Sequence, residues 1–256
     1  IVAGVTVAVD VADQIVVLVG SSDGTLYALE DMGSQVEERW RFTTQGKVWS
    51  TPTVNDDIVY VASLDHHVYA IALRDGRNKW PVPFEAQGGI ISSPLVAEDK
   101  VYVGSFDRKL YALDASNGLE AWVSPFEADA WFWSSPIAGD KWIYVASLEG
   151  KIYALDPGGG RLQWTFPEEG RIAPVYSSPV LVDDKLAVTS EDGKLYVLSA
   201  ENGREDQRAS GQVVDGKVRA PLAAHEGSVF LHVLDQTVRA YNLTTGGSSW
   251  EFSTEK

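Results

Sequence analysis

Short apolar runs recur along the chain at a nearly constant interval. VVLVGS (16–21), VYVASL (59–64), VYVGSF (101–106), IYVASL (143–148), LAVTSE (186–191) and VFLHVL (229–234) are alternating or β-branched and aromatic in character, and each predicts a strand. Each is preceded by a Ser-Pro type segment such as SSPLVAE (92–98) and followed by a run such as LYALD (110–114), then by a segment that carries a Trp, such as LEAWVSPF (119–126). No stretch sustains a helical period. Every unit therefore predicts four short strands, with the last one carrying the Trp.

The turns between these runs are chemically explicit. Asp23-Gly24, Glu149-Gly150 and Asp192-Gly193 separate the second and third strands, and Asp75-Gly76, Asn117-Gly118 and Asn202-Gly203 separate the third and fourth. Such pairs suit tight hairpins, because Gly accepts positive φ without steric cost. Asp56-Asp57, Glu98-Asp99 and Asp183-Asp184 polarise the turn between the first and second strands.

The repeat is registered by single residues. One Tyr recurs as Tyr27, Tyr69, Tyr111, Tyr153 and Tyr196, with Arg239 in the sixth place, in steps of 42, 42, 42, 43 and 43. A Ser-Ser/Thr-Pro precedes it at Pro52, Pro94, Pro136 and Pro179; Pro221 follows Arg-Ala instead, and Asp10 is read as the counterpart in the first unit. A Trp follows at Trp40, Trp80, Trp122, Trp164 and Trp250, with Gln207 in the fifth unit. Six copies of about 42 residues predict an all-β chain, a β-propeller of six four-stranded antiparallel blades in a single domain over residues 1–256. The expected blades are about 1–45, 46–87, 88–129, 130–172, 173–214 and 215–256, either closed by side-chain packing of the sixth on the first or forming part of a larger ring.

Composition narrows the function. The 256 residues carry a net charge of −15, which argues against a nucleic-acid partner. There is no Cys, hence no disulfide, thiolate metal site or cysteine nucleophile. No apolar run approaches the length of a membrane span. Gly20-Ser21-Ser22-Asp23-Gly24 fits a nucleophile elbow in letters only, since a strand and not a helix follows. His66, His67, His225 and His232 fall in different turns and strands and form no three-His metal set.

ALDASNGLEAW (112–122) and ALDPGGGRLQW (154–164) resemble the tryptophan-docking motif of the PQQ-type propeller repeats. AIALRDGRNKW (70–80) and AYNLTTGGSSW (240–250) match with Ala72 and Asn242 in place of the Asp, and VLSAENGREDQ (197–207) keeps only the Gly. The resemblance covers the chain and implies the repeat, not one function. The family includes enzymes that bind pyrroloquinoline quinone and Ca²⁺, a lipoprotein of outer-membrane barrel assembly, and sensor domains. The enzymes use a vicinal Cys pair against the quinone and a Ca²⁺ site. This chain has no Cys and nothing to match those ligands. It is therefore expected to be a non-catalytic interaction scaffold or sensor without cofactor or metal, monomeric, periplasmic or extracellular, with a protein partner. A small-ligand or carbohydrate site is the alternative, and a quinone-dependent oxidoreductase the more remote one.

A residue present in every copy builds blades, so function is sought where copies differ. The acid that opens each second hairpin (Asp23, Asp65, Asp107, Glu149, Asp192, Asp235) is read as turn chemistry rather than a cation ring. Three residues before the proline or its counterpart, the connectors read Val7, Trp49, Ile91, Trp133, Tyr176 and Val218, and the fourth groups Trp131, Phe132 and Trp133. These aromatics read either as an exposed anchor patch or as a roof over the channel, and Arg219, in a place where four other copies have Ser, adds positive charge there with Arg171 and Lys217. The candidate contact residues are thus Trp49, Trp131, Phe132, Trp133, Tyr176 and Arg219.

Overall fold

A computed structural model describes residues 3–214 and 216–253. Among the described residues there are 24 strands and no helix, arranged as six four-stranded antiparallel sheets, each made of four strands consecutive in the chain. The chain divides into two compact units, 1–127 and 128–256, of three sheets each. The fold is an all-β propeller of six blades.

The first unit holds β1 (Val5–Val9), β2 (Ile15–Gly20), β3 (Thr25–Asp31) and β4 (Val36–Thr43); β5 (Thr53–Asn55), β6 (Ile58–Ala62), β7 (His67–Ala72) and β8 (Phe84–Glu85); and β9 (Leu95–Ala97), β10 (Lys100–Gly104), β11 (Lys109–Asp114) and β12 (Phe126–Glu127). The second holds β13 (Ile137–Ala138), β14 (Ile143–Ser147), β15 (Lys151–Leu155) and β16 (Leu162–Phe166); β17 (Val180–Val182), β18 (Lys185–Ser190), β19 (Lys194–Ser199) and β20 (Gln212–Val213); and β21 (Ala223–His225), β22 (Ser228–Val233), β23 (Thr237–Asn242) and β24 (Gly247–Ser253).

The second and third strands of each blade are the apolar runs of the sequence, and burial on both faces explains why they are apolar. In the first unit, Val16, Leu18, Val59, Val61 and Ile71 form the layer between the first two blades, and Val68, Val101, Val103 and Leu113 the next. In the second, Ile152, Leu186, Val188 and Leu198 fill one interlayer space and Val197, Val229, Leu231 and Val233 the other. Between sheet faces stacked in this way a polar side chain without a partner is costly.

The Ser-Ser/Thr-Pro segment joins blades through hydroxyls. Ser50, Ser92, Ser134 and Ser177 are buried and bond the backbone of their own second strand; Ser50 Oγ donates to the Ala62 carbonyl at 2.7 Å and accepts its N–H at 3.0 Å. The next hydroxyl reaches the preceding blade. Ser93 Oγ accepts the Thr51 N–H and Ser178 Oγ the Ser135 N–H, each at 2.9 Å.

Three expectations are corrected by the coordinates. First, the Trp does not always lie on the fourth strand. Trp40, Trp164 and Trp250 do, but Trp80 and Trp122 follow single bridges (Ile71 to Asn78, Leu113 to Glu120), and the strand resumes only as the two-residue β8 and β12. Pro81, Pro83 and Pro125 remove the donors a continuous ladder needs. Second, Asp10 is not the counterpart of the prolines. Thr6 Oγ1 bonds the Pro52 carbonyl at 2.5 Å as Thr53 Oγ1 bonds that of Pro94 at 2.6 Å, so β1 sits 47 residues before its equivalent (53 − 6) instead of 42. Five extra residues lengthen the first hairpin, in whose turn Asp10 caps the Ala12 and Gln14 N–H groups and pairs with Arg39 at 2.6 Å. Third, Arg219 does not stand in a serine's place. It lies 20 residues before Arg239, as Trp49 lies 20 before Tyr69 and Tyr176 20 before Tyr196, so it falls in register with the connector aromatics.

Candidate functional site

The recurring acid is consumed by structure. Asp23, Asp65, Asp107, Asp192 and Asp235 each accept the backbone N–H two residues on, at 2.8–3.2 Å. The other carboxylate oxygen takes the hydroxyl of the register Tyr: Tyr27, Tyr69, Tyr111 and Tyr196 at 2.7–2.9 Å. Tyr153 makes the same bond to Glu149. Where Tyr is lost, Arg239 reaches Asp235 at 2.7 Å, so the sixth blade keeps the clamp as an ion pair. Asp65 and Asp107 also accept the Gln45 and Gln87 N–H groups of the preceding blade.

These clamps have a pH consequence. Burial, then the bond to a carboxylate, raises the hydroxyl pKa of Tyr69, Tyr111, Tyr153 and Tyr196 above the ordinary 10.0. Burial pushes Tyr144 up to about 12. The unfolded chain releases these protons near pH 10 and the folded chain does not, so their stabilisation is complete below that pH and lost as pH rises above it. Alkaline titration is expected to show these tyrosines ionising together with unfolding, well above pH 10. Ordinary, independent titration of all tyrosinate absorbance with the fold intact would contradict it.

The connectors differ from blade to blade, and the second unit brings three of them together. Trp133, from the fourth blade's connector, packs edge-on against Tyr176 of the fifth, with ring centroids 5.4 Å apart at 70°. The Arg219 guanidinium of the sixth lies 4.9 Å over the Tyr176 ring. Cation–π stacking of this kind holds the long side chain flat. Arg219 Nε donates to Glu191 at 2.9 Å, and Lys217 Nζ pairs with the other Glu191 oxygen at 2.7 Å. Burial alone would raise the Glu191 carboxyl, but the bonds from Arg219 and Lys217 outweigh it and hold it below the usual range. Arg171 pairs with Asp129 at 3.2 Å on the neighbouring connectors.

The WFW cluster splits. Trp131 is 51 % exposed and its carbonyl accepts the Leu148 N–H at 3.0 Å. Trp133 is half-buried under Tyr176. Phe132 is fully buried, so it is withdrawn as a contact residue. Side chains alternate along an extended segment, and Phe132 takes the inward position that Val48, Ile90 and Val175 fill in other blades, all fully buried. Trp49 belongs to the first unit, half-buried, with its indole N–H on Ser22 Oγ at 3.0 Å and the Lys47 ammonium 5.4 Å from its ring. Sequence reasoning put Lys217 beside Arg219 as positive charge but missed Glu191, the carboxylate that holds both. A carboxylate in the adjacent turn, one residue beyond a buried Ser, was the available signal.

Comparisons with known proteins give the same repeat. The family profile described as outer membrane protein assembly factor BamB matches residues 3–88, 81–212 and 152–256. No curated protein matches the chain. Among solved structures, BamB from Moraxella catarrhalis is 20% identical, with a TM-score of 0.78 over 99% of this chain and 76% of that one. The computationally designed Ika8 protein is 14% identical, with a TM-score of 0.72 over 98% of this chain and 86% of its own. At these identities the two structures establish the fold, and the family match extends from one end of the chain to the other. The chain belongs to the family of the outer membrane protein assembly factor BamB, β-propellers built from PQQ-like repeats.

Proposed function

We propose that this chain is a non-catalytic interaction scaffold that works outside the cytoplasm, as one propeller domain and a monomer, in outer-membrane protein assembly. Its partner docks on the connectors of the second unit, with Trp131 as the exposed anchor and Trp133, Tyr176 and Arg219 as the floor. The observation that carries the reading is that stack: one residue from each of three successive connectors, at the place where the repeats stop repeating. Buried or half-buried aromatic and Arg anchors with a polar surround are what protein contact patches are made of. The family name supplies the setting.

The test is site-specific photo-crosslinking in the native envelope. A photoreactive residue at Trp131 is expected to capture a component of the outer-membrane assembly machinery. The same residue at Leu119, 69 % exposed in the first unit, is expected not to. Trp131→Ala should then weaken that complex by about tenfold or more and leave thermal stability unchanged. Equal capture at both positions, or at neither, would remove the patch from the proposal.

A further inference from the structure

The far end of the second unit's blades carries a cavity that the connectors do not touch. In four blades a backbone bond latches the first turn to the third hairpin: Leu73 N–H to Asp57, Ala115 to Asp99, Ala200 to Asp184 and Leu243 to Gly227, at 2.8–2.9 Å. In the fourth blade the donor's place is Pro157, which has no N–H, opposite Lys141. The turn there differs. Asp56, Glu98, Asp183 and Glu226 sit in the left-handed region with φ of 44–54°, and Asp140 in the same register does not. Lys141 crosses instead to Glu201 of the next blade at 2.8 Å, and the Trp142 indole N–H reaches the Glu201 carbonyl at 3.3 Å.

The space this leaves has a volume of about 610 Å³ and opens between the fourth and fifth blades. Trp142 and Tyr144 line it on one side. Where Trp142 stands, the other blades have Val16, Ile58, Lys100, Lys185 and Ser228, so the indole belongs to this blade alone. Asp140, Asp183 and Asp184 line it as well. Lys141 is engaged by Glu201, and among the described residues no cation lies within ion-pair distance of those three carboxylates.

We propose that this cavity binds a guanidinium group. An indole and three carboxylates lining one cavity are the two kinds of group a guanidinium satisfies at once, by stacking and by forked hydrogen bonds. The volume exceeds one guanidinium and suits an arginine with its flanking backbone, and the chain's net charge of −15 favours a basic ligand over long range as well. The cavity lies at the start of β14, whereas the connector patch lies at its end, so either site stands if the other fails.

The test titrates the purified chain with acetyl-Gly-Arg-Gly-amide at low salt, by calorimetry or NMR, beside the isosteric, neutral citrulline peptide. Saturable binding at or below ~10 mM is expected for the arginine peptide. The citrulline peptide, and the arginine peptide on Asp183→Asn/Asp184→Asn, should each bind about tenfold more weakly or worse. Asn keeps the turn, because it tolerates the left-handed conformation of Asp183. Trp142→Ala should weaken binding and Trp142→Phe should largely retain it. Free argininamide distinguishes the sources: weaker binding than the peptide assigns the site to a partner's side chain, equal binding to a small free cation. No saturation, equal binding of citrulline, or indifference to the double Asn variant would overturn the assignment.

Discussion

Trp80→Ala should destabilise the first unit by about 3–5 kcal/mol, the range for emptying a large buried aromatic site. Trp80 is 2 % exposed and its indole N–H donates to the Ala115 carbonyl of the next blade at 2.9 Å. Its ring lies 5.7 Å from that of Tyr60, whose hydroxyl bonds the same carbonyl at 3.0 Å. The ring rests on Gly118, where a Cβ would come within 2.6 Å of it. Trp40 and Trp164 repeat the arrangement, on Gly76 and Gly203. Trp80→Phe should cost only about 1 kcal/mol beyond the lost area, since Ala115 keeps the Tyr60 hydroxyl. Gly118→Ala is expected to be costly alone, because its φ is +79° and its methyl group would strike the indole. In the Trp80→Ala background the second of those costs disappears, so the double variant should lose less than the sum of the two. Denaturant unfolding of the four proteins decides it. Strict additivity would mean that indole and glycine are not in contact.

The repeat was legible because its cues are local. A two-residue turn, an alternating run and a Trp at fixed offset each follow from chemistry within one blade, and six copies supply the register. What lay outside reach depended on partners 35 or 42 residues away. The Trp80 N–H and its acceptor, or the Thr51 N–H and Ser93 Oγ, are joined only after blades stack. Counting from prolines misplaced Asp10 and Arg219, because inserted or deleted residues in turns leave no apolar signal; counting from the hairpin Tyr corrects the second. Three aromatics in a row overstated the patch, since alternation sends Phe132 inward. The connectors stood out in the sequence only as the positions that differ. The guanidinium cavity was hidden for the opposite reason: Pro157 sits inside a motif match, and its missing N–H matters only once the latch in the other blades is known.

Gly150→Ala should be the most damaging change of a single atom in the second unit, and Gly193→Ala shows why. The two glycines hold the same place in the second hairpin of successive blades, with φ of +81° and +74°. Alanine carries the left-handed penalty at both, about 1–2 kcal/mol. At Gly193 the nearest atom to an added Cβ is the Gly216 carbonyl oxygen at 3.6 Å, an ordinary contact. At Gly150 it is the Ile172 carbonyl oxygen at 1.9 Å, which no side-chain rotation relieves. The Ile172 N–H bonds the Gly150 carbonyl at 3.1 Å, so the clash pushes away the segment that the turn also holds. Gly193→Ala should therefore cost only the conformational penalty, and Gly150→Ala about 3 kcal/mol or more. The displaced segment leads directly to Tyr176. Gly150→Ala should thus also loosen the Trp133–Tyr176 contact and reduce the near-ultraviolet circular dichroism expected from it, at temperatures where the chain is still folded. Gly193→Ala should leave that signal intact. Equal losses of stability in the two variants would show that backbone strain alone sets the cost, and that the connector under the proposed docking patch is not held by this turn.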